Sequence, residues 1–144
     1  MAKLFTTSWV SNDGTMAPIA ASVQCHIAVV RLLLPASAGG NLAENDDVTA
    51  LIAASYFDHV EVVGLLLDAA ADAKLGFNDD TTALIASSKL GNIEVVQLLL
   101  TASANRNLAT NHGNTVLYAA SEQGHVRVTR LLLDADAEKN FAAN

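Results

Sequence analysis

The tripeptide Leu-Leu-Leu stands at 32–34, 65–67, 98–100 and 131–133, a step of 33 residues each time with no insertion. A step that strict restricts the chain to a stack of like supersecondary units, because a unit of about 33 residues cannot bury its own apolar face and must lay it on a neighbour. Other positions keep the same step. Val29-Val30, Val62-Val63 and Val95-Val96 precede the leucines, with Val128-Thr129 in the last copy. Ala20, Ala53, Ala86 and Ala119 correspond, as do Ser22, Ser55, Ser88 and Ser121. Thr49, Thr82 and Thr115 correspond, with Met16 in the first copy, and Leu42, Leu75, Leu108 and Phe141 close the units.

Each unit reads as two short helices. Thr49, Thr82 and Thr115 are suited to cap the first helix, a Thr hydroxyl accepting from the free amides of the first turn. A break follows at Asp58-His59, Gly91-Asn92 and Gly124-His125, where the chain needs a residue that tolerates positive φ. The second helix spans Val60 to Leu67 in one copy and Ile93 to Leu100 in the next. Val62, Leu65 and Leu66 make an i, i+3, i+4 stripe, widened by Val63 and Leu67. A stripe that wide buries on two sides, against its own first helix and against the next unit.

With the Thr-x-Leu opening, the Gly-His turn and the Val-Val-x-Leu-Leu-Leu helix, the 33-residue unit resembles the ankyrin repeat. The resemblance covers residues 11–144. It implies an all-α solenoid of stacked antiparallel helix pairs joined by β-turn loops, whose concave face binds other proteins. Residues 1–144 are then a single domain with repeats at 11–43, 44–76, 77–109 and 110–142, and residues 1–10 fit the tail of a preceding unit. The family's Thr-Pro-Leu-His opening is replaced by Thr49-Ala50-Leu51-Ile52, Thr82-Ala83-Leu84-Ile85 and Thr115-Val116-Leu117-Tyr118. The Gly expected after the second helix is replaced by Ser37, Ala70, Ser103 and Asp136. A non-Gly residue in a left-handed cap costs about 1 kcal/mol, so these caps are strained or the second helices end differently.

The ends differ from the middle. Trp9 falls in register with Leu42, Leu75 and Leu108 and is expected to fill the first loop core. The first unit is the most degenerate, with Met16 for the capping Thr, Cys25 for the turn Gly, and Pro35 cutting the second helix short. The last unit carries Arg127, Thr129 and Arg130 on its second helix and is expected to act as a partial C-terminal cap. The N-terminal end has no comparable polar face, which suggests a fragment of a longer array or weak self-association of copies through that end.

Net charge is −7, from fifteen acids against eight bases. A field of that sign repels phosphate and argues against nucleic acid or an anionic membrane as partners. No apolar run reaches the ~18 residues that span a bilayer. The N-terminus does not read as a signal peptide, and the lone Cys25 cannot make an internal disulfide, so the cytosol or nucleus is expected rather than secretion.

Chemistry is hard to find. His26, His59 and His125 occupy equivalent turns, but stacked helices lie about 8–10 Å apart, too far for neighbours to share a zinc ion. These histidines are expected instead to satisfy backbone groups at the start of the second helix. No Gly-x-Ser-x-Gly elbow marks a nucleophilic serine, and Cys25 beside His26 lacks a third group. Gly39-Gly40 stands alone and follows no strand, so no phosphate-binding loop is indicated. The tip acids Asp13, Asp46, Asp47, Asp79 and Asp80 are too dispersed for calcium. Neither enzymatic activity nor a metal or cofactor is expected.

Surface recognition remains. The resemblance directs attention to the β-turn tips and the exposed end of each first helix. The candidate tip residues are Asp46, Asp79, Thr81, His112 and Asn114. The candidate helix-end residues are Tyr56 and Phe57, Lys89 and Leu90, and Glu122 and Gln123. Adjacent aromatics on a polar strip suit a binding hot spot, with Tyr56 the more exposed of its pair because its hydroxyl tolerates water. Leu90 would extend that apolar patch. The strip is expected to run about 40 Å by helix spacing, acidic at its tips and apolar in its middle. The expected partner is therefore a protein presenting basic residues around an apolar anchor.

Overall fold

A computed structural model describes residues 17–34, 50–69, 82–102, 104 and 109–135. Among these residues the chain forms four tight helix pairs. They are α1 (Ala17–Val23) with α2 (Ile27–Leu33), α3 (Ala50–Tyr56) with α4 (Val60–Asp68), α5 (Ala83–Leu90) with α6 (Ile93–Thr101), and α7 (Val116–Glu122) with α8 (Val126–Asp134). The described residues include no strand; Ala109 and Thr115 form an isolated antiparallel bridge below a loop tip. The architecture is the all-α solenoid that the repeat pattern predicts.

Helices of seven to nine residues are marginal alone, so burial must hold them. The first helices α1, α3, α5 and α7 stack in chain order, and the second helices stack likewise. Small side chains bring the first helices close: Ala53, Ala54, Ala83, Ala86 and Ala120 are buried between larger Leu51, Ile52, Leu84 and Leu117. On the second helices, Val62, Val63 and Leu66 are buried, as are Val95, Val96 and Leu99. That is the two-sided stripe read from sequence, with Leu65 and Leu67 half-buried at its margins.

Local chemistry fixes where each helix starts and stops. Thr82 Oγ1 accepts from the Ile85 amide at 3.3 Å, and Thr115 Oγ1 from the Tyr118 amide at 3.1 Å. Thr49 lies outside the described residues. Between the helices of each pair, Cys25, Asp58, Gly91 and Gly124 adopt left-handed φ of 57°, 59°, 76° and 72°. The second helices end on Ala69, Ala102 and Ala135 at φ −82°, −79° and −85°. Their last residues therefore stay right-handed and unstrained. Ser37, Ala70, Ser103 and Asp136, as well as Trp9, Met16 and Pro35, lie outside the described residues.

The outer face of the last pair is mixed. Its second helix α8 does present Arg127 and Arg130 to solvent, but it also leaves Val126 67% and Leu133 38% exposed. Those two positions are half-buried as Ile93 and Leu100 in the pair before, where a following pair covers them. With Thr129 in place of the valine of the other pairs, and Arg127 and Arg130 beside Val126 and Leu133, this face is part polar and part apolar.

Candidate functional site

Residues 33 apart fall at the same place on stacked helices, so the C-terminal ends of α3, α5 and α7 line up. Side chains four apart share a helix face, and three such faces meet here. Tyr56 comes from α3, Ile85, Ala86, Lys89 and Leu90 from α5, and Tyr118, Ala119 and Glu122 from α7. Thr110 and Asn114 of the neighbouring loop tip complete a groove of about 230 Å³. Its floor is apolar, Leu90 is 42% exposed on its wall, and the opposite charges of Lys89 and Glu122 stand at its edge.

Hydrogen bonds stiffen the α7 side. Tyr118 Oη donates to Glu122 Oε1 at 3.4 Å, setting the ring and the carboxylate on one face. The loop tip is closed by Thr110, whose Oγ1 accepts from the His112 amide at 3.3 Å and the Asn114 amide at 3.2 Å. The Thr110 amide donates to the Asn114 carbonyl at 3.0 Å. Gly113, at φ 81°, supplies the left-handed residue this tight tip needs.

The aromatic pair divides. Both rings are half-buried, and Tyr56 meets Phe57 edge-on at 5.0 Å between centroids. Tyr56 lines the groove, whereas Phe57 turns back and stacks on His59 at 6.0 Å and 21°. Of the residues singled out from sequence, Tyr56, Lys89, Leu90, Glu122 and Asn114 come together. Phe57 belongs to the turn, while exposed His112 and Gln123 do not line the groove. Asp46, Asp79 and Thr81 lie outside the described residues. Tyr118 and Thr110 were not singled out. Tyr118 was legible as the residue four before Glu122, on the same helix face.

The turn histidines act on a different partner from the one expected. None caps its own second helix. Instead His59 Nε2 donates to the Val23 carbonyl at 2.6 Å, and His125 Nε2 to the Lys89 carbonyl at 2.8 Å. Asn92 does the same in the intervening pair, its Nδ2 donating to the Ser55 carbonyl at 2.9 Å and the Tyr56 carbonyl at 3.3 Å. Each side chain reaches back 36 or 37 residues to the carbonyls ending the previous first helix, the end of a helix where carbonyls lack partners in its own ladder. The same bonds hold the ends of α3 and α5, from which Tyr56 and Lys89 project into the groove.

Among the described residues no three His, Cys, Asp or Glu side chains cluster as a metal site. No helix among them is long and apolar enough to cross a membrane. A family model for ankyrin repeats, built of three copies, matches residues 2–76 and again residues 69–143. No curated protein matches the chain.

Proposed function

The chain belongs to the ankyrin repeat family, whose members in general bind other proteins, and from that premise we propose that it captures a partner protein in the groove between Tyr56 and Tyr118. The observation that carries this reading is the convergence of two tyrosines, Leu90 and an opposed Lys89–Glu122 pair from three successive helix pairs. Tyrosine and leucine give a desolvated anchor point, and tyrosine loses little side-chain entropy on binding. The volume, about 230 Å³, is below the roughly 300–1,000 Å³ of small-molecule sites. It suits one large side chain of a protein surface.

The groove also suggests the anchor's chemistry. An apolar stem lies between Tyr56, Leu90 and Tyr118, and a basic head meets the Glu122 carboxylate. The net charge of −7 favours encounter with a basic surface. By their charge, the acids Asp46 and Asp79 would add to that attraction. Family membership and the absence of a catalytic constellation in the sequence support a binding role without catalysis. A reducing compartment, cytosol or nucleus, fits the lone Cys25.

Peptide-library selection against the intact chain tests the reading. Peptides recovered on the wild type are measured on the Tyr56→Ala, Leu90→Ala double variant. The expected result is enrichment of apolar residues beside Arg or Lys, and a loss of at least about tenfold in affinity, equivalent to the ~1.4 kcal/mol expected of a hot-spot pair. Selected peptides that bind both proteins equally would place recognition elsewhere and overturn the proposal.

A further inference from the structure

The first and last described pairs expose opposite halves of one interface. Positions 29 and 32 of the first pair recur as Val62 and Leu65, Val95 and Leu98, and Val128 and Leu131. In those later pairs the valines are buried and the leucines half-buried. In the first pair Val29 is 43% and Leu32 76% exposed. This column of positions therefore faces the preceding pair. A second column behaves in reverse. Its members Val60 and Leu67, and Ile93 and Leu100, are half-buried, while in the last pair Val126 is 67% and Leu133 38% exposed. This second column faces the following pair.

The turn beside it is open in the same way. At Gly91 the position of a Cβ lies 2.6 Å from the His125 ring that reaches over from the next pair. At Gly124 nothing lies within 4 Å of that position. Val126, Leu133, Thr129 and Arg130 line a shallow, mostly apolar concavity of about 420 Å³ on this end.

We propose that a second copy of this chain docks head-to-tail, its α2 face carrying Val29 and Leu32 seating on the α8 face carrying Val126 and Leu133. Within the chain the same two columns already mate three times, from α2 against α4 through α6 against α8, so the contact continues an interface the fold uses. Such a contact is heterologous and leaves one open face on each end copy, so it propagates instead of closing as a dimer. One substitution sets it apart from all three internal contacts, Thr129 standing where Val30, Val63 and Val96 are buried. A second sets it apart from the first of them, Ala28 standing where Glu61 pairs with Arg31 at 3.8 Å. Arg130, the equivalent of Arg31, therefore lacks an acid to meet in the docked copy.

Sedimentation equilibrium of the full chain, from about 10 µM to about 1 mM, tests the proposal. The wild-type mass is expected to rise above 15.0 kDa and to pass the dimer value without a plateau. Leu32→Glu and Val126→Glu each weaken association at least tenfold, and both positions are exposed enough to leave the thermal melt in place. Mixed one to one, the two variants retain one open face each and form a complex that stops at twice the chain mass. Ala28→Glu strengthens wild-type association about two- to fivefold at low salt by giving Arg130 a partner. Tyr56→Ala with Leu90→Ala changes nothing here, so failure of the groove reading is scored separately. A wild-type chain monomeric throughout the range overturns the proposal. So does a mixture that fails to pair, or a Leu32→Glu variant that still associates like the wild type.

Discussion

The turn of the first pair and the turn of the third have one backbone and two chemistries. In the first, the His26 amide donates to the Ala21 carbonyl at 2.9 Å and the Cys25 amide to the Ser22 carbonyl at 3.3 Å. In the third, the Asn92 amide donates to the Ser87 carbonyl at 2.9 Å and the Gly91 amide to the Ser88 carbonyl at 3.3 Å. The second and fourth turns repeat the pattern through Asp58 and Gly124. This paired bonding is the left-handed helix stop that glycine favours. Stacking of the pairs imposes it even where the residue is Cys25 or Asp58, so the array sets the turn conformation and the residue sets only its cost.

Gly91→Ala should break the comparison most severely. The new methyl group would meet the left-handed strain and also the His125 ring, at 2.6 Å from Nδ1. Strain of about 1–2 kcal/mol plus loss of the bond from His125 to the Lys89 carbonyl, about 1 kcal/mol, gives an expected destabilisation of about 2–3 kcal/mol in urea unfolding. Gly124→Ala meets the same strain at φ 72° in open space and should cost about 1–2 kcal/mol. His125→Ala alone should cost about 1 kcal/mol. In that background Gly91→Ala should cost no more than Gly124→Ala, because the ring that collides has gone. A double-mutant cycle without that coupling would dismiss the collision.

Much of this was legible in sequence, and the reason is periodicity. The 33-residue step placed the helix pairs, the Thr82 and Thr115 caps and the left-handed turns, since each depends on residues a few positions apart. It also aligned Tyr56, Lys89 and Glu122, which meet in the groove because they hold one register position or its neighbour. What was not legible depends on reach between units. The direction of the His59 and His125 side chains, toward the previous helix and away from their own, is a contact 36 residues long. The division of Tyr56 from Phe57 is of the same kind. It depends on His59 offering a ring for Phe57 to stack on, which no spacing within the aromatic pair reveals.

Reversing the chemistry of the non-glycine turns sharpens the comparison with smaller effects. Cys25→Gly removes a Cβ from φ 57° and should stabilise the chain. The relief of about 1–2 kcal/mol is reduced by the greater entropy glycine has when unfolded, about 0.4–1 kcal/mol. A gain of about 0.5–1 kcal/mol remains, visible as a higher denaturation midpoint. Asp58→Gly should gain less, because aspartate tolerates this conformation better than most residues. An equal or larger gain at position 58 than at 25 would mean that strain does not rank these turns.

The smallest effect is expected at the serines that serve these turns. Ser55 and Ser88 accept the turn amides through their carbonyls, at 3.4 and 3.3 Å, while their buried hydroxyls have no hydrogen-bond partner. Their neighbour Ser87 shows what satisfaction looks like, its Oγ donating to the Ala83 carbonyl at 2.8 Å. Alanine keeps the carbonyl and deletes the unpaired hydroxyl, whose burial costs about 1–3 kcal/mol when wholly unmet. Rotation toward the preceding turn can recover part of that in solution, so Ser88→Ala should stabilise by only about 0.5 kcal/mol. Ser121, at the same position in the last pair, is exposed, and Ser121→Ala should be neutral within about 0.5 kcal/mol. If Ser88→Ala instead destabilises while Ser121→Ala does not, the hydroxyl is bonded in the folded protein. The turn would then depend on the serine side chain as well as on the backbone the array imposes.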